Sequence, residues 1–390
     1  MTPLPEQEPI PFARPSLGPE EEEAVLKVMR SGWLTTAGEA RAFEAEFAEY
    51  LGIPYALAVN SATSGLHLAL EAFGVGPGDR IAMSPYTFTA SAEVCRYCGA
   101  EPYFVDIEAD GFLLDPERLA NADPSGLRGV MPIHIAGEAC NMEAIRAIAR
   151  ERELRIVEDA AHAFPVRTEA GYVGTLGDVG VFSFYATKTI TTGEGGMVVT
   201  SDERTANRMR LMRTHGIDRE VWDRYRGAGK PWYYEVVEAG FKYNMPDLLA
   251  AIGRVQLRRA ERLKAERRAI AERYRNAFAD RDYLTIQQEN GDHSRHLFIL
   301  RLNLEKLTLD RERFIAGLAA RGVGTSVHYV PLHLMPYWRE RLSLEPEMFP
   351  EATRRYREVV SLPIWPGMRE DQVERTIAAV LEVGDHGYKG

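Results

Sequence analysis

The segment Val181-Phe182-Ser183-Phe184-Tyr185-Ala186-Thr187-Lys188 runs on to Gly193-Glu194-Gly195-Gly196-Met197. An apolar strand ends in a serine, and a loop then presents a single lysine. A glycine turn leads to a second apolar run, Met197 to Thr200. A lysine held on such a loop can form a Schiff base with an aldehyde cofactor. The competing reading is a solvated surface lysine, the usual state of that residue.

The residues upstream favour the first reading. Leu154-Arg155-Ile156-Val157 reads as a buried strand, and Glu158-Asp159-Ala160-Ala161-His162 follows at its carboxyl end. Ligand chemistry in open α/β sheets collects at such ends. A carboxylate there can pair with the pyridinium nitrogen of pyridoxal phosphate, whose protonated ring acts as an electron sink. Asp159 is the candidate. Glu158 should face the opposite side, because successive strand residues alternate. Taken alone, Asp159 would read as the cap of a following helix.

The cofactor's phosphate needs a cradle. Tyr55-Ala56-Leu57-Ala58-Val59 reads as a strand, Asn60-Ser61-Ala62-Thr63-Ser64-Gly65 as a turn, and Leu66 to Phe73 as an apolar helix. A helix N-terminus offers free N–H groups and partial positive charge, and Thr63 and Ser64 add hydroxyls. The same turn also reads as an ordinary N-cap. After the strand Arg80 to Ser84 comes Tyr86-Thr87-Phe88-Thr89. Phe88 or Tyr86 could stack on the cofactor ring, or either could be a core aromatic.

Taken in order, these pieces resemble the sugar aminotransferase family DegT/DnrJ/EryC1/StrS, a branch of the fold-type-I PLP enzymes. Further matching segments are Ser31-Gly32-Trp33-Leu34-Thr35-Thr36, Met131-Pro132-Ile133-His134, Gly137-Glu138 and Arg213-Thr214-His215-Gly216. Gly240-Phe241-Lys242-Tyr243-Asn244-Met245-Pro246-Asp247, Gly324-Thr325-Ser326-Val327-His328-Tyr329 and Ser361-Leu362-Pro363 extend the resemblance through nearly the whole chain. It implies that Lys188 carries the cofactor and Asp159 pairs with the pyridine nitrogen. By the same resemblance His162 lies near the phenolic oxygen, Phe88 stacks on the ring, and Ala62, Thr63, Ser64 and Ser183 bind the phosphate. Asn244 is implied to reach the cofactor of a neighbouring subunit, so the active sites would be shared in a homodimer.

The implied reaction is ping-pong transfer of an amino group from L-glutamate to a nucleotide-linked ketosugar. Freed Lys188 serves as the base. The Gly-Phe-Lys-Tyr-Asn form looks most like the branch that aminates C4 of UDP-4-keto sugars for lipopolysaccharide or other cell-surface polysaccharide. Thr35 and His328 are candidates for contacting the sugar; a turn threonine and a core histidine are the alternatives. Lysine at 188 argues against the histidine-bearing dehydratase branch. An aminohydroxybenzoate synthase-like enzyme and a non-catalytic PLP-binding regulator are the other competitors.

Composition agrees. Lys plus Arg total 47 against 57 Asp plus Glu, a net charge of −10, which does not favour a nucleic-acid partner. No apolar run reaches membrane-spanning length. Met1 to Pro15 shows no basic region followed by an apolar core, so no secretory signal is expected. The three cysteines, Cys95, Cys98 and Cys140, lack a second Cys or His pair, so no metal site is expected. They read as free thiols in a reducing cytoplasm.

The expected architecture is α/β, with a mostly parallel central sheet and helices on both faces, plus a smaller C-terminal α+β domain. The expected division is an arm at 1–14, a large PLP-binding domain at 15–250 and a small domain at 251–390. Within the small domain a long Arg/Lys/Glu-rich helix to Ala279 reads as a solvated face. A strand from Arg295 to Leu302, a strand near Gly324 to Val330 and a closing helix from Glu370 to Val383 follow, with a frayed tail from His386.

Overall fold

The computed structural model describes residues 8–218, 232–286 and 291–389. Its strands, in chain order, begin with β1 (Tyr55–Val59), β2 (Arg80–Met83), β3 (Glu101–Phe104), β4 (Leu127–Val130) and β5 (Arg155–Asp159). A short hairpin, β6 (Arg167–Thr168) and β7 (Gly171–Tyr172), precedes β8 (Val179–Ser183) and β9 (Gly196–Thr200). The central sheet has seven strands in the order β1-β9-β8-β5-β4-β2-β3. Pairing is parallel from β3 through β8, while β9 runs antiparallel to both β8 and β1. The sheet is therefore mostly parallel, and it belongs to the α/β class.

Both faces are covered, and β1, β8 and β9 are accordingly nearly continuous apolar runs. Alternation sorts them. Val181 and Val198 face the helix Ala62–Ala72, whose Gly65 sits so close that an added Cβ would come within 2.7 Å of Val198 and 2.8 Å of Val181. Phe182 faces the opposite layer, where its ring lies 5.2 Å from that of Phe47 on the helix Gly38–Leu51. That helix has no side-chain cap of its own. Asp247 supplies one from 207 to 210 residues away: its buried carboxylate accepts from the N–H groups of Ala37 at 2.7 Å, Ala40 at 3.0 Å and Glu39 at 3.1 Å.

A second sheet, β10 (Leu284–Ile286), β11 (Phe298–Leu302) and β12 (Val359–Leu362), is antiparallel. Its core draws on the helices Ala260–Phe278, Arg311–Ala320 and Glu370–Gly387. Ile10 of the N-terminal arm joins that core through a parallel bridge to Val323.

Four local expectations change. The Arg/Lys/Glu-rich run is two helices, Asp247–Arg258 and Ala260–Phe278, and the first packs on Pro19–Ser31 and Gly38–Leu51 of the large body. Arg267 on the second is 2% exposed rather than solvated. Gly324 to Val330 is no strand: only Ser326 bridges Ser361, because the segment turns to wall a cavity. The closing helix continues to Gly387, and the tail beyond it is tied down: Tyr388 bridges Leu307, and Lys389 N–H donates to the Lys306 carbonyl at 3.0 Å.

Candidate active site

A cavity of about 570 Å³ opens at the carboxyl ends of β5 and β8, beside the N-terminus of the helix Ala62–Ala72. Ser326, His328, Tyr329 and Ile364 close it from the small-sheet side, and Phe12 closes it from the arm.

Lys188 lines this cavity. Its own N–H donates to the Tyr185 carbonyl at 2.9 Å, forming a tight turn directly after β8. Phe184 donates to Gly195 and Thr192 donates to Phe184, each at 2.9 Å, so the loop is laced by backbone bonds. The Gln256 side chain accepts from Thr191 N–H at 3.3 Å. Burial pulls the Lys188 amine down to a pKa of about 8; Asp159 opposes that shift and Arg267 adds to it.

Asp159 ends β5 and faces the same cavity. One carboxylate oxygen accepts from Ser91 Oγ at 2.8 Å and the other from Ala161 N–H at 3.1 Å. Ser91 in turn lies 3.1 Å from Thr87 Oγ1. No helix begins at Asp159, so its carboxylate is not spent as a cap. Glu158 points to the other side of the sheet, fully buried, and accepts from the N–H groups of Gly174, Leu176 and Gly177 at 2.6–2.8 Å. His134 Nε2 lies 3.1 Å from it. That arrangement fixes the end of β5 from behind.

His162 lines the cavity with a defined tautomer. Its Nδ1 accepts from Ala136 N–H at 3.3 Å, so the ring proton sits on Nε2, 3.0 Å from the Tyr329 hydroxyl. Burial, then Lys188, then His328 keep its pKa well below the usual histidine value. The His296 ring stands 4.3 Å away and is held neutral chiefly by burial. His328 Nδ1 lies 2.9 Å from Ser361 Oγ, and burial beside Lys188 lowers its pKa to about 4.

Phe88 is on the cavity lip, 59% exposed, its ring 6.2 Å from that of Tyr329. Tyr86 is instead a core residue whose hydroxyl donates to the His328 carbonyl at 2.8 Å. The helix starts at Ala62, earlier than Leu66, because Ser61 caps it by accepting from Ser64 N–H. Ala62, Thr63 and Ser183 line the cavity. Ser64 does not: its hydroxyl donates to Asn60 Oδ1 at 2.5 Å within the capping network.

Two candidates lie outside the cavity of their own chain. Thr35 is exposed on the loop before the helix Gly38–Leu51. Asn244 pairs with the end of β1, donates to Thr36 Oγ1 at 2.5 Å and accepts from the Lys242 ammonium. Sequence reading missed Ser91, Tyr329 and His296. Ser91 lay inside an ordinary-looking helix, and no local pattern links it to a residue 68 positions on.

The donor set suits pyridoxal phosphate. The first-turn N–H groups of Ala62 and Thr63 have no intrahelical acceptor, and with Ser183 they offer neutral donors to a phosphate. Gly196 keeps this cradle compact, since a Cβ there would come within 2.8 Å of Ala62 N. A carboxylate, a flat aromatic face and an amine surround the remaining space.

The profile of the DegT/DnrJ/EryC1/StrS aminotransferase family matches residues 15–381. The spore coat polysaccharide biosynthesis protein SpsC of Bacillus subtilis is 39% identical over 377 residues, which are 96% of this chain and 97% of that protein. Spr1654 of Streptococcus pneumoniae, solved in PLP and PMP forms, superposes in its PMP form with a TM-score of 0.90 at 29% identity, covering 97% of this chain and 99% of that one. PseC of Helicobacter pylori, an aminotransferase involved in the biosynthesis of pseudoaminic acid, gives 0.90 at 27% identity over 97% and 100%. The chain therefore belongs to the DegT/DnrJ/EryC1/StrS aminotransferase family and is a PLP-dependent transaminase.

Proposed function

We propose that the enzyme moves the amino group of L-glutamate to a nucleotide-linked ketosugar, at C4 of a UDP-4-keto sugar, as a cytoplasmic homodimer with shared sites. The observation that carries the reading is the convergence of Lys188 and Asp159 on one cavity beside a helix N-terminus. Bound pyridoxal phosphate supplies an aldehyde for amine capture and a ring that accepts electrons. Asp159, steadied by Ser91, holds a proton at the ring nitrogen. Ala62, Thr63 and Ser183 hold the phosphate, and Phe88 covers a ring face. His162 presents Nε2–H toward the phenolic side. Lys188 would take the proton from the donor's α-carbon and deliver it to the carbon on the other side of the transferring nitrogen.

Lys188 works as a free amine, so the sign of its pH dependence follows. With its pKa lowered to about 8, activity should rise with pH through that value. Below about pH 7 the limiting rate should fall roughly tenfold per unit, and it should level off above about pH 9. A pH profile of kcat under saturating donor and acceptor reads this directly.

The shared site is supported by charge. Among the described residues, Lys188 is the only lysine or arginine lining the cavity, while a cofactor phosphate and a sugar diphosphate are both anionic. Lys242 and Asn244 lie beside the edge strand β1: the Lys242 and Tyr243 carbonyls accept from Asn60, and Asn244 bridges Val59. Mixing inactive K188A and N244A proteins under exchange conditions should restore part of the activity, since hybrid dimers would contain one intact site. Failure of any recovery in verified hybrids would remove the shared-site reading.

The decisive assay has two stages. L-Glutamate alone should bleach the yellow holoenzyme and release 2-oxoglutarate. UDP-, dTDP- and GDP-linked ketosugars are then offered to the bleached enzyme, with aminosugar read by mass. An enzyme that stays yellow with glutamate, or that aminates none of these sugars, would overturn the proposal.

A further inference from the structure

Arg267 is a buried charge without a buried countercharge. Its side chain lies on the helix Ala260–Phe278 and is 2% exposed. Its guanidinium donates only to backbone carbonyls: Ile364 at 2.9 Å, His296 at 3.2 Å, Arg295 at 3.3 Å and Thr187 at 3.4 Å. Nε has no partner, and among the described residues no carboxylate pairs with it. Burying an unpaired guanidinium is costly, and four carbonyl dipoles offset that cost only in part.

Its placement explains what the charge does. Thr187 immediately precedes Lys188, whereas Arg295, His296 and Ile364 flank β11 and β12 of the small sheet. One side chain thus ties the lysine loop to the small-sheet layer. We propose that Arg267 is a positioning residue for the reaction: it pins the peptide before Lys188 to the small sheet and sets a fixed positive charge beside the lysine amine. The inference rests on the reading of Lys188 as the cofactor-bearing lysine.

The other groups facing Lys188 do not substitute for it. Asp159, at the end of β5, favours the protonated amine. His162, His296 and His328 are all held toward their neutral forms by burial. Arg267 is then the one group acting on Lys188 as a cation at neutral pH among the described residues, and it disfavours protonation there.

The test compares Arg267→Gln, which keeps donors but loses charge, with Arg267→Lys, which keeps charge but loses the fork. Each holoenzyme is titrated with pH and the visible band recorded, with thermal melting as the check on folding. Removing the cation should move the spectral transition upward by about one pH unit in R267Q, while R267K stays near wild type. Should R267Q fail to fold, a folded R267K shifted by about a unit would itself overturn the proposal. An unshifted R267Q, or equal shifts in both variants, would also overturn it. Borohydride trapping with peptide mass spectrometry separates the two levels. Label on a residue other than Lys188 defeats the lysine assignment, whereas label on Lys188 with an unmoved titration defeats only the role of Arg267.

Discussion

Lys188→Ala should leave a folded protein whose transamination is slower by at least about a thousandfold. Folding survives because the loop is held by backbone bonds, Lys188 N–H to Tyr185 and the Phe184–Gly195 and Thr192–Phe184 pairs, all of which alanine retains. Catalysis should collapse because the proposed mechanism gives the amine two jobs, attachment to the cofactor and proton transfer at the donor carbon. No other amine lines the cavity among the described residues. The comparison needs kcat with glutamate and a ketosugar, alongside a melting curve. A variant with wild-type turnover would end the assignment of this lysine.

The second large effect is expected at Asp159. Asp159→Asn preserves shape and can still accept from Ser91 Oγ, but its neutral amide cannot stabilise a protonated ring nitrogen. Proton removal from the donor carbon then loses its electron sink, and kcat should drop by roughly a hundredfold or more. The loss should fall mainly on kcat in the glutamate half-reaction, with cofactor binding weakened less, because the proposed phosphate cradle at Ala62, Thr63 and Ser183 is untouched. Stopped-flow decay of the yellow band measures it. An unchanged half-reaction rate would show that the ring nitrogen is not paired with this residue.

The fold was legible in the sequence wherever local rules govern. Strand β5 and its carboxyl end, strand β8 with its lysine loop, and β9 were readable because apolar runs bounded by turn residues specify strands over five residues. Glu158 and Asp159 fall on opposite sides of the sheet, as pleating requires. Legibility failed where a segment's shape depends on what it packs against. Gly324 to Val330 has the composition of a strand, yet its side chains are recruited to the cavity wall and the arm instead. Arg267 sits in a run of charges that looks solvated, but its own position on the helix turns it inward.

The site shows the same division. Residues that recur in an ordered motif, Lys188 and Asp159 above all, could be named from the chain. Ser91 could not, nor could His296, whose ring packs 4.3 Å from the His162 that the motif named.

Periodicity, turn chemistry and motif order are properties of neighbouring residues, so the chain alone specified the α/β architecture, the lysine on its loop and the acid at a strand end. The partners that steady these groups come from far along the chain: Ser91 meets Asp159 across 68 positions, and Arg267 meets Thr187 across 80. Such meetings depend on which way each helix rotates as its apolar face packs, and that is settled only when all the layers close on one another.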